Sequence, residues 1–363
     1  MSHIIVVGCG NISSHLIPHL GRLPGIDKVT LIDGQSYELK NITSQDIDAG
    51  DVGKPKSRVQ ARCLRRIKPD LTVEAIVRQF ESLPQGSLRC DLVLSGLDSK
   101  LARMKLGQAV WRLGGIPWID AGVEPDALLA RVSAYLPGED RPCYECAWSD
   151  KDYLALEASY PCDAGAESPR PTNAPSGLGA LAAGLQIIAA QKLLSGRPEL
   201  VPFGSQVLID AAHHKHYLTS YRRNPYCRFD HEVWKIERLA VDRERCSLGD
   251  ALTLDGDRRQ GDESWLRVEG KPFVKRLVCT NCGHAKHLMR LRESLTGKGR
   301  TCSICRQTLT ASGWDLTETL TDHLPKRVLS RSLASLGLRD GEVFSIGNPG
   351  GERHYEITVT GRD

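Results

Sequence analysis

The chain has 363 residues, with 48 Lys and Arg against 44 Asp and Glu and a formal net charge of +4. So small and interspersed a charge argues against a nucleic-acid stripe, and 40% hydrophobic residues suit a soluble protein of about two domains. Twelve cysteines could mean disulfides, but six fall into three Cys-x-x-Cys pairs and no signal peptide precedes the first strand, so the sequence predicts a cytoplasmic chain that binds metal.

Residues 4–7 form an unbroken apolar, β-branched run, the pattern of a strand buried on both faces of a parallel sheet. Gly8 and Gly10 follow at once, and residues 13–23 read as a helix whose N-terminal NH groups would face that turn. This is either a phosphate site or only a tight strand-to-helix connection. Residues 28–32 read as a second strand ending in Asp33, where an acid can meet a ribose hydroxyl. The cations of Gly53-Lys54-Pro55-Lys56 precede a helix at 58–67 and would meet a triphosphate or lie in an exposed basic loop. Strands at 71–76 and 90–95 follow, and Asp98 sits just past a strand's carboxyl end, where open α/β sheets keep their ligands. Strands at 118–122 and 130–135 complete an alternating β-α order, a doubly wound sheet. Residues 178–194 are apolar but interrupted by Gln186, Gln191 and Lys192, which predicts a buried helix rather than a membrane span.

Taken together, the turn VGCGN, the segment LIDGQSYELKNITSQ, the segment DVGKPKSRVQARCLRRIKP, the strand end at Asp98 and the pair PCYEC resemble the ubiquitin-activating-enzyme superfamily in its ThiF/MoeB branch. The resemblance runs from residue 3 to about 231. It implies an adenylyltransferase that uses ATP and Mg²⁺ to activate the C-terminal glycine of a ubiquitin-like protein. By that resemblance Gly8 and Gly10 line the phosphate turn, Asp33 takes the ribose, Asn41 and Gln45 are polar site positions, Lys56 contacts phosphate and Asp98 positions Mg²⁺. Two charged positions of the family are neutral here: Ser44 stands where an arginine is usual, and Gln35 where a second acid is. The chemistry needs cations, because a carboxylate attacking a phosphate brings anions together. Lys54, Arg58 and Arg103 are the nearby candidates.

Relatives of this kind hold a structural zinc with two cysteine pairs. Here Cys143 and Cys146 form the first, while Cys227 stands alone and His231 becomes the fourth ligand or an exposed histidine. In the loop between them, Cys162 matches the family's catalytic cysteine, which captures the acyl group as a thioester. Its alternatives are a fourth zinc ligand or an inert thiol. The histidines of 213–216 could bind metal but read rather as a solvated loop before a strand.

Beyond about Trp234 the resemblance ends. Cys279 and Cys282, then Cys302 and Cys305, enclose nineteen residues, the spacing of a zinc ribbon. A short helix is predicted at 330–338 and a last strand in HYEITVTG. The expected fold class is therefore α/β: a Rossmann-like ThiF/MoeB adenylation domain with structural zinc over residues 1–234, then a small C-terminal domain over 235–363 with a zinc ribbon at about 271–315. The expected cofactors are ATP, Mg²⁺ and two structural Zn²⁺. The expected partners are a ubiquitin-like or sulfur-carrier protein, a possible conjugating enzyme, one or the other of the ubiquitin-like substrate and that enzyme docking on the C-terminal module, and a second copy of the chain. A sulfur-carrier adenylyltransferase and a catalytically silent zinc-bearing adaptor remain the alternatives.

Overall fold

The structure is a computed structural model that describes residues 2–158, 174–254, 263–295 and 297–358. The chain divides into two compact units, one of Met1–Glu81 with Leu88–Val233, the other of Ser82–Ser87 with Trp234–Asp363.

The first unit follows from its apolar runs. Strand β1 (Ser2–Val7) has four consecutive fully buried residues, Ile4 to Val7, because it lies between two neighbours and is covered on both faces. Those neighbours are β2 (Ile26–Ile32) and β4 (Leu92–Ser95); β3 (Thr72–Ile76) pairs outside β2, and β5 (Trp118–Glu124) outside β4, all in parallel. The strand order reverses direction between β1 and β4, which opens a crevice at their carboxyl ends. β6 (Leu129–Tyr135), β7 (Ser205–Asp210) and β8 (Lys215–Ser220) then extend the sheet in antiparallel fashion to eight strands, in the order β3-β2-β1-β4-β5-β6-β7-β8.

Helix α1 (Asn11–Leu20) begins two residues earlier than its sequence pattern predicts and ends at the turn around Gly21. α2 (Lys56–Ile67) also starts early, with Pro55 at its cap, so Lys56 opens the helix instead of lying in a loop. α3 (Lys100–Leu113) is capped by Ser99, and α4 (Asp150–Ala158) precedes the residues left undescribed. The apolar α5 (Ser176–Leu194) packs on α1, β5 and β6. Its buried Gln186 donates to the carbonyls of Ser95 and Ile119 at 3.0 and 2.7 Å, so the amide that breaks the apolar run also fixes the helix on the sheet.

The second unit contains a mixed five-stranded sheet of which the sequence pattern reveals only the last strand, in HYEITVTG. β9 (Ile236–Ala240), β10 (Trp265–Arg267), β15 (Thr319–Thr321), β16 (Val343–Asn348) and β17 (Gly351–Thr358) stand in the order β15-β10-β16-β17-β9. Leu248 and Leu252 of α6 (Leu248–Leu252) join Leu266, Phe344, Ile346 and Ile357 in its core. A separate ribbon is built from β11 (Phe273–Cys279), β12 (Ala285–Leu291), β13 (Leu309–Thr310) and β14 (Leu316–Thr317). The helix predicted at 330–338 does not form. A short α7 (Lys326–Leu329) precedes it, and residues 330–338 are turns that bury Leu333, Leu336 and Leu338. There Ser332 accepts from the Ser335 amide and Gly337 is left-handed at φ +94°, local bonding that competes with a helix.

The segment Ser82–Ser87, from the connection between β3 and β4, belongs to this second unit. The Gly86 amide donates to Gly341 at 2.9 Å, Lys271 donates to the Leu83 carbonyl at 2.6 Å, and Arg339 reaches Ser82. Lys271 is also paired with the buried carboxylate of Glu342.

Candidate functional site

One cavity of about 630 Å³ lies at the carboxyl ends of the first unit's strands, within the size range of small-molecule sites. Its floor is the β1–α1 turn. Gly8 sits at φ +83°, a left-handed conformation, and a Cβ there would stand 3.1 Å from the Gly96 carbonyl. Helix α1 then starts at Gly10 with no side-chain cap, so its first NH groups are left for a ligand, and Gly10, Asn11 and Ile12 all line the cavity. The turn is fixed from below by Tyr37, whose hydroxyl donates to the Cys9 carbonyl at 3.0 Å and accepts from Gln60 at 2.8 Å.

Asp33 closes β2 with one carboxylate oxygen on the Cys9 amide and the other on the Gln35 amide, both at 2.7 Å. Burial raises its pKa, and these amide bonds oppose the rise. Each oxygen keeps a second lone pair for a ligand hydroxyl. Lys56, also buried, donates to the neutral Gln35 amide oxygen at 2.8 Å rather than to a carboxylate. Its positive charge therefore stays available at the cavity wall. Asn41 uses its side-chain oxygen to accept the Glu38 amide at 2.8 Å, which shapes the loop, while the Gln45 side-chain oxygen is buried without a partner among the described residues. Asp98 is exposed at the rim.

Gly8, Gly10, Asp33, Asn41, Gln45, Lys56 and Asp98 thus line one cavity. Of the three compensating cations anticipated from sequence, Arg103 lines it. Lys54 and Arg58 do not, Lys54 lying 3.9 Å from Asp51. Lys40, Arg78 and Arg131 line it as well. A lone cation on a strand or a loop carries no sequence signal of its own, so these three escape sequence reasoning. Cys162 lies outside the described residues.

Among the described residues, two groups of side chains could hold metal ions. Cys143, Cys146, Cys227 and His231 form the first, with Sγ atoms of Cys143 3.8 Å from Cys146 and 3.7 Å from Cys227, and Cys146 Sγ 3.1 Å from His231 Nε2. Ligands about 2.3 Å from a tetrahedral metal stand about 3.8 Å apart, so this donor set fits one. Trp111 packs edge-on to Phe229 and His231 and donates to the His231 carbonyl at 2.9 Å, and Arg112 holds Asp230 with two bonds of 2.8 and 2.9 Å. Cys279, Cys282, Cys302 and Cys305 form the second group, with pairs at 3.3 and 3.6 Å. In both knuckles the residue after the second cysteine is left-handed, Gly283 at φ +71° and Arg306 at φ +64°. His213 is in neither group. It sits in the exposed turn between β7 and β8 on Asp210.

The sequence model of the ThiF family matches residues 1–229. Ubiquitin-like modifier-activating enzyme 5 of Oryza sativa subsp. japonica is 33% identical over 160 residues, covering 40% of this chain and 37% of that protein. The NEDD8-activating enzyme E1 catalytic subunit of Saccharomyces cerevisiae is 29% identical over 153 residues, 40% of this chain and 50% of that one. The crystal structure of E. coli MccB with ATP is similar in fold at a TM-score of 0.51, with 23% identity over 63% of this chain and 66% of MccB. The chain thus spans between about two fifths and two thirds of the length of these proteins.

Proposed function

Because the chain belongs to the ThiF family, we propose that it is an ATP-dependent adenylyltransferase that activates the C-terminal glycine of a ubiquitin-like protein. The observation that carries this reading is the shared cavity, in which a nucleotide turn, a buried acid and a buried lysine with no carboxylate partner among the described residues stand together. The names of the relatives, activating enzymes for ubiquitin-like modifiers, agree with it.

In this reading the α1 N-terminus and the Gly8–Gly10 turn receive the phosphates and Asp33 the ribose hydroxyls. Asn41 shapes the loop and Gln45 adds a polar contact. A carboxylate oxygen of the substrate's tail attacks the α-phosphorus, the bond to pyrophosphate breaks, and an acyl-adenylate forms. Lys56 neutralises charge on the phosphates as it builds up, a term commonly worth hundredfold to thousandfold in rate. Asp98 would hold Mg²⁺, which supplies further charge neutralisation when bound. Zinc suits both cysteine groups as a structural ion, in Cys₃His and Cys₄ sets with no open position.

We assign the acyl-capturing thiol to Cys162, the second reactant to a ubiquitin-like or sulfur-carrier protein, and the working form to a cytoplasmic homodimer whose ribbon meets a conjugating enzyme. The sulfur-carrier version uses the same cavity and differs in recruiting a separate sulfur donor.

ATP–pyrophosphate exchange with small glycine-terminated carrier proteins tests the reading. Exchange should require carrier, and Lys56→Ala should lower it by about a hundredfold or more. Cys162→Ala should spare exchange but abolish a reducible adduct. A chain that takes up no ATP even with its carrier present defeats the proposal.

A further inference from the structure

The far end of the cavity, over β5 and β6, holds a charge cluster of which only Arg103, as a compensating cation, has a role in the nucleotide reading. Asp120 is 0% exposed and accepts from Ser95 Oγ at 2.7 Å and from Arg103 Nε at 3.2 Å. Arg131 approaches the same carboxylate at 3.5 Å, a looser contact. Tyr144 neighbours both guanidinium groups. With all three groups ionised, two arginines on one carboxylate leave one positive charge in excess.

The two arginines are not equivalent. Arg103 is 12% exposed and also donates to the Ala121 carbonyl at 3.3 Å, which ties it to β5. Arg131 is 24% exposed and lies flat over Gly122, where a Cβ would stand 2.9 Å from Nε and Nη2. Glycine at 122 is thus what lets the guanidinium occupy this end of the cavity. The surrounding wall is Gly122, Val123, Leu129 and Leu208 with the exposed carboxylate of Glu124, an acid that disfavours a triphosphate and leaves room for an extended peptide tail. β6 is three strands removed from β1, but the Arg131 side chain leans back over Gly122 of β5, which puts its guanidinium between the nucleotide turn and the far wall, where an attacking carboxylate would stand. Ser44, on the nucleotide side of the same cavity, brings no charge.

We propose that Arg131 binds the terminal carboxylate of the acyl substrate, leaving Asp120 to Arg103 when that carboxylate enters. The inference rests on the adenylation reading for the identity of the substrate. The exchange leaves the cluster neutral: two arginines, Asp120 and the incoming carboxylate. Once the carboxylate becomes the acyl part of the mixed anhydride with AMP, its own charge is gone, and Arg131 returns to Asp120. Arg131 accordingly acts on substrate affinity more than on the chemical step.

The test uses the full chain and a short peptide ending in Gly-Gly, as the free acid and as the C-terminal amide, with ATP titrated separately. Wild type should prefer the acid by about tenfold to a hundredfold, the range for hydrogen bonds to a charged group. Arg131→Gln should erase the preference while ATP affinity stays within about threefold, and Arg131→Lys should restore part of it. Gly122→Ala, which displaces the guanidinium without removing it, should weaken the acid alone. A preference that survives Arg131→Gln overturns the proposal. So does a parallel loss of ATP affinity with native circular dichroism, which assigns Arg131 to phosphate instead. Wild type binding acid and amide alike, or neither at millimolar concentration, also overturns it. An acid preference lost in Arg131→Gln in a chain that binds no ATP keeps the carboxylate site and defeats only the adenylation reading.

Discussion

The two cysteine groups offer a metal nearly the same donors but stand in different surroundings. The first is set among Trp111, Phe229 and the Arg112–Asp230 pair, on a unit with an extensive core of its own. The second is held by a ribbon whose core, among the described residues, is Val274, Leu277, Leu309 and two of the ligands themselves. The contrast teaches that the same ligation can fasten a fold that already exists or supply most of the energy of one that does not.

Metal removal should separate the two most sharply. Structural zinc contributes on the order of 10 kcal/mol to isolated zinc modules, so chelation should unfold the ribbon while the parallel sheet persists. Hydrogen exchange checks this: amides of β11 and β12 should reach unfolded rates, and those of β1 and β2 should stay protected. Equal protection in both regions would erase the contrast. A smaller effect is expected from Trp111→Ala in the metal-loaded protein, about 3–5 kcal/mol by urea unfolding, because packing shares the work at the first group. A loss below about 1 kcal/mol would mean that metal alone holds it. Smallest is Arg306→Gly. A left-handed non-glycine residue costs about 1–2 kcal/mol, and the added backbone entropy of glycine returns about 0.5–1, so the ribbon should gain a few tenths to about 1 kcal/mol. A higher chelator concentration at the unfolding midpoint would register it.

How far the sequence could be read depended on whether the cause was local. The strand-turn-helix start was legible because Ile4 to Val7 are buried on both sides and so carry an uninterrupted apolar run. The ribbon was legible because ligand spacing along the chain is itself the geometric requirement. β8 was legible only as a strand following the loop at 213–216, since all six of its residues are exposed and no apolar alternation marks its extent. The turns at 330–338 misled because three leucines are buried there at a spacing that local serine bonding sets, not a helix. Within the cavity, Asp33 and Lys56 stand at the ends of elements that pattern can place, whereas Arg78 and Arg131 reach it only through the three-dimensional course of the sheet.

The assignment of Ser82–Ser87 to the second unit bears on how the protein is made. The six residues leave the ribosome early, but their partners at Lys271, Arg339 and Gly341 follow some 190 to 260 positions later. Closure of the second unit must therefore wait for almost the whole polypeptide, a slow long-range step. A cut at the boundary near Val233 would not release two intact halves; it would leave a loop of the first without its hosts and the second lacking a piece of itself.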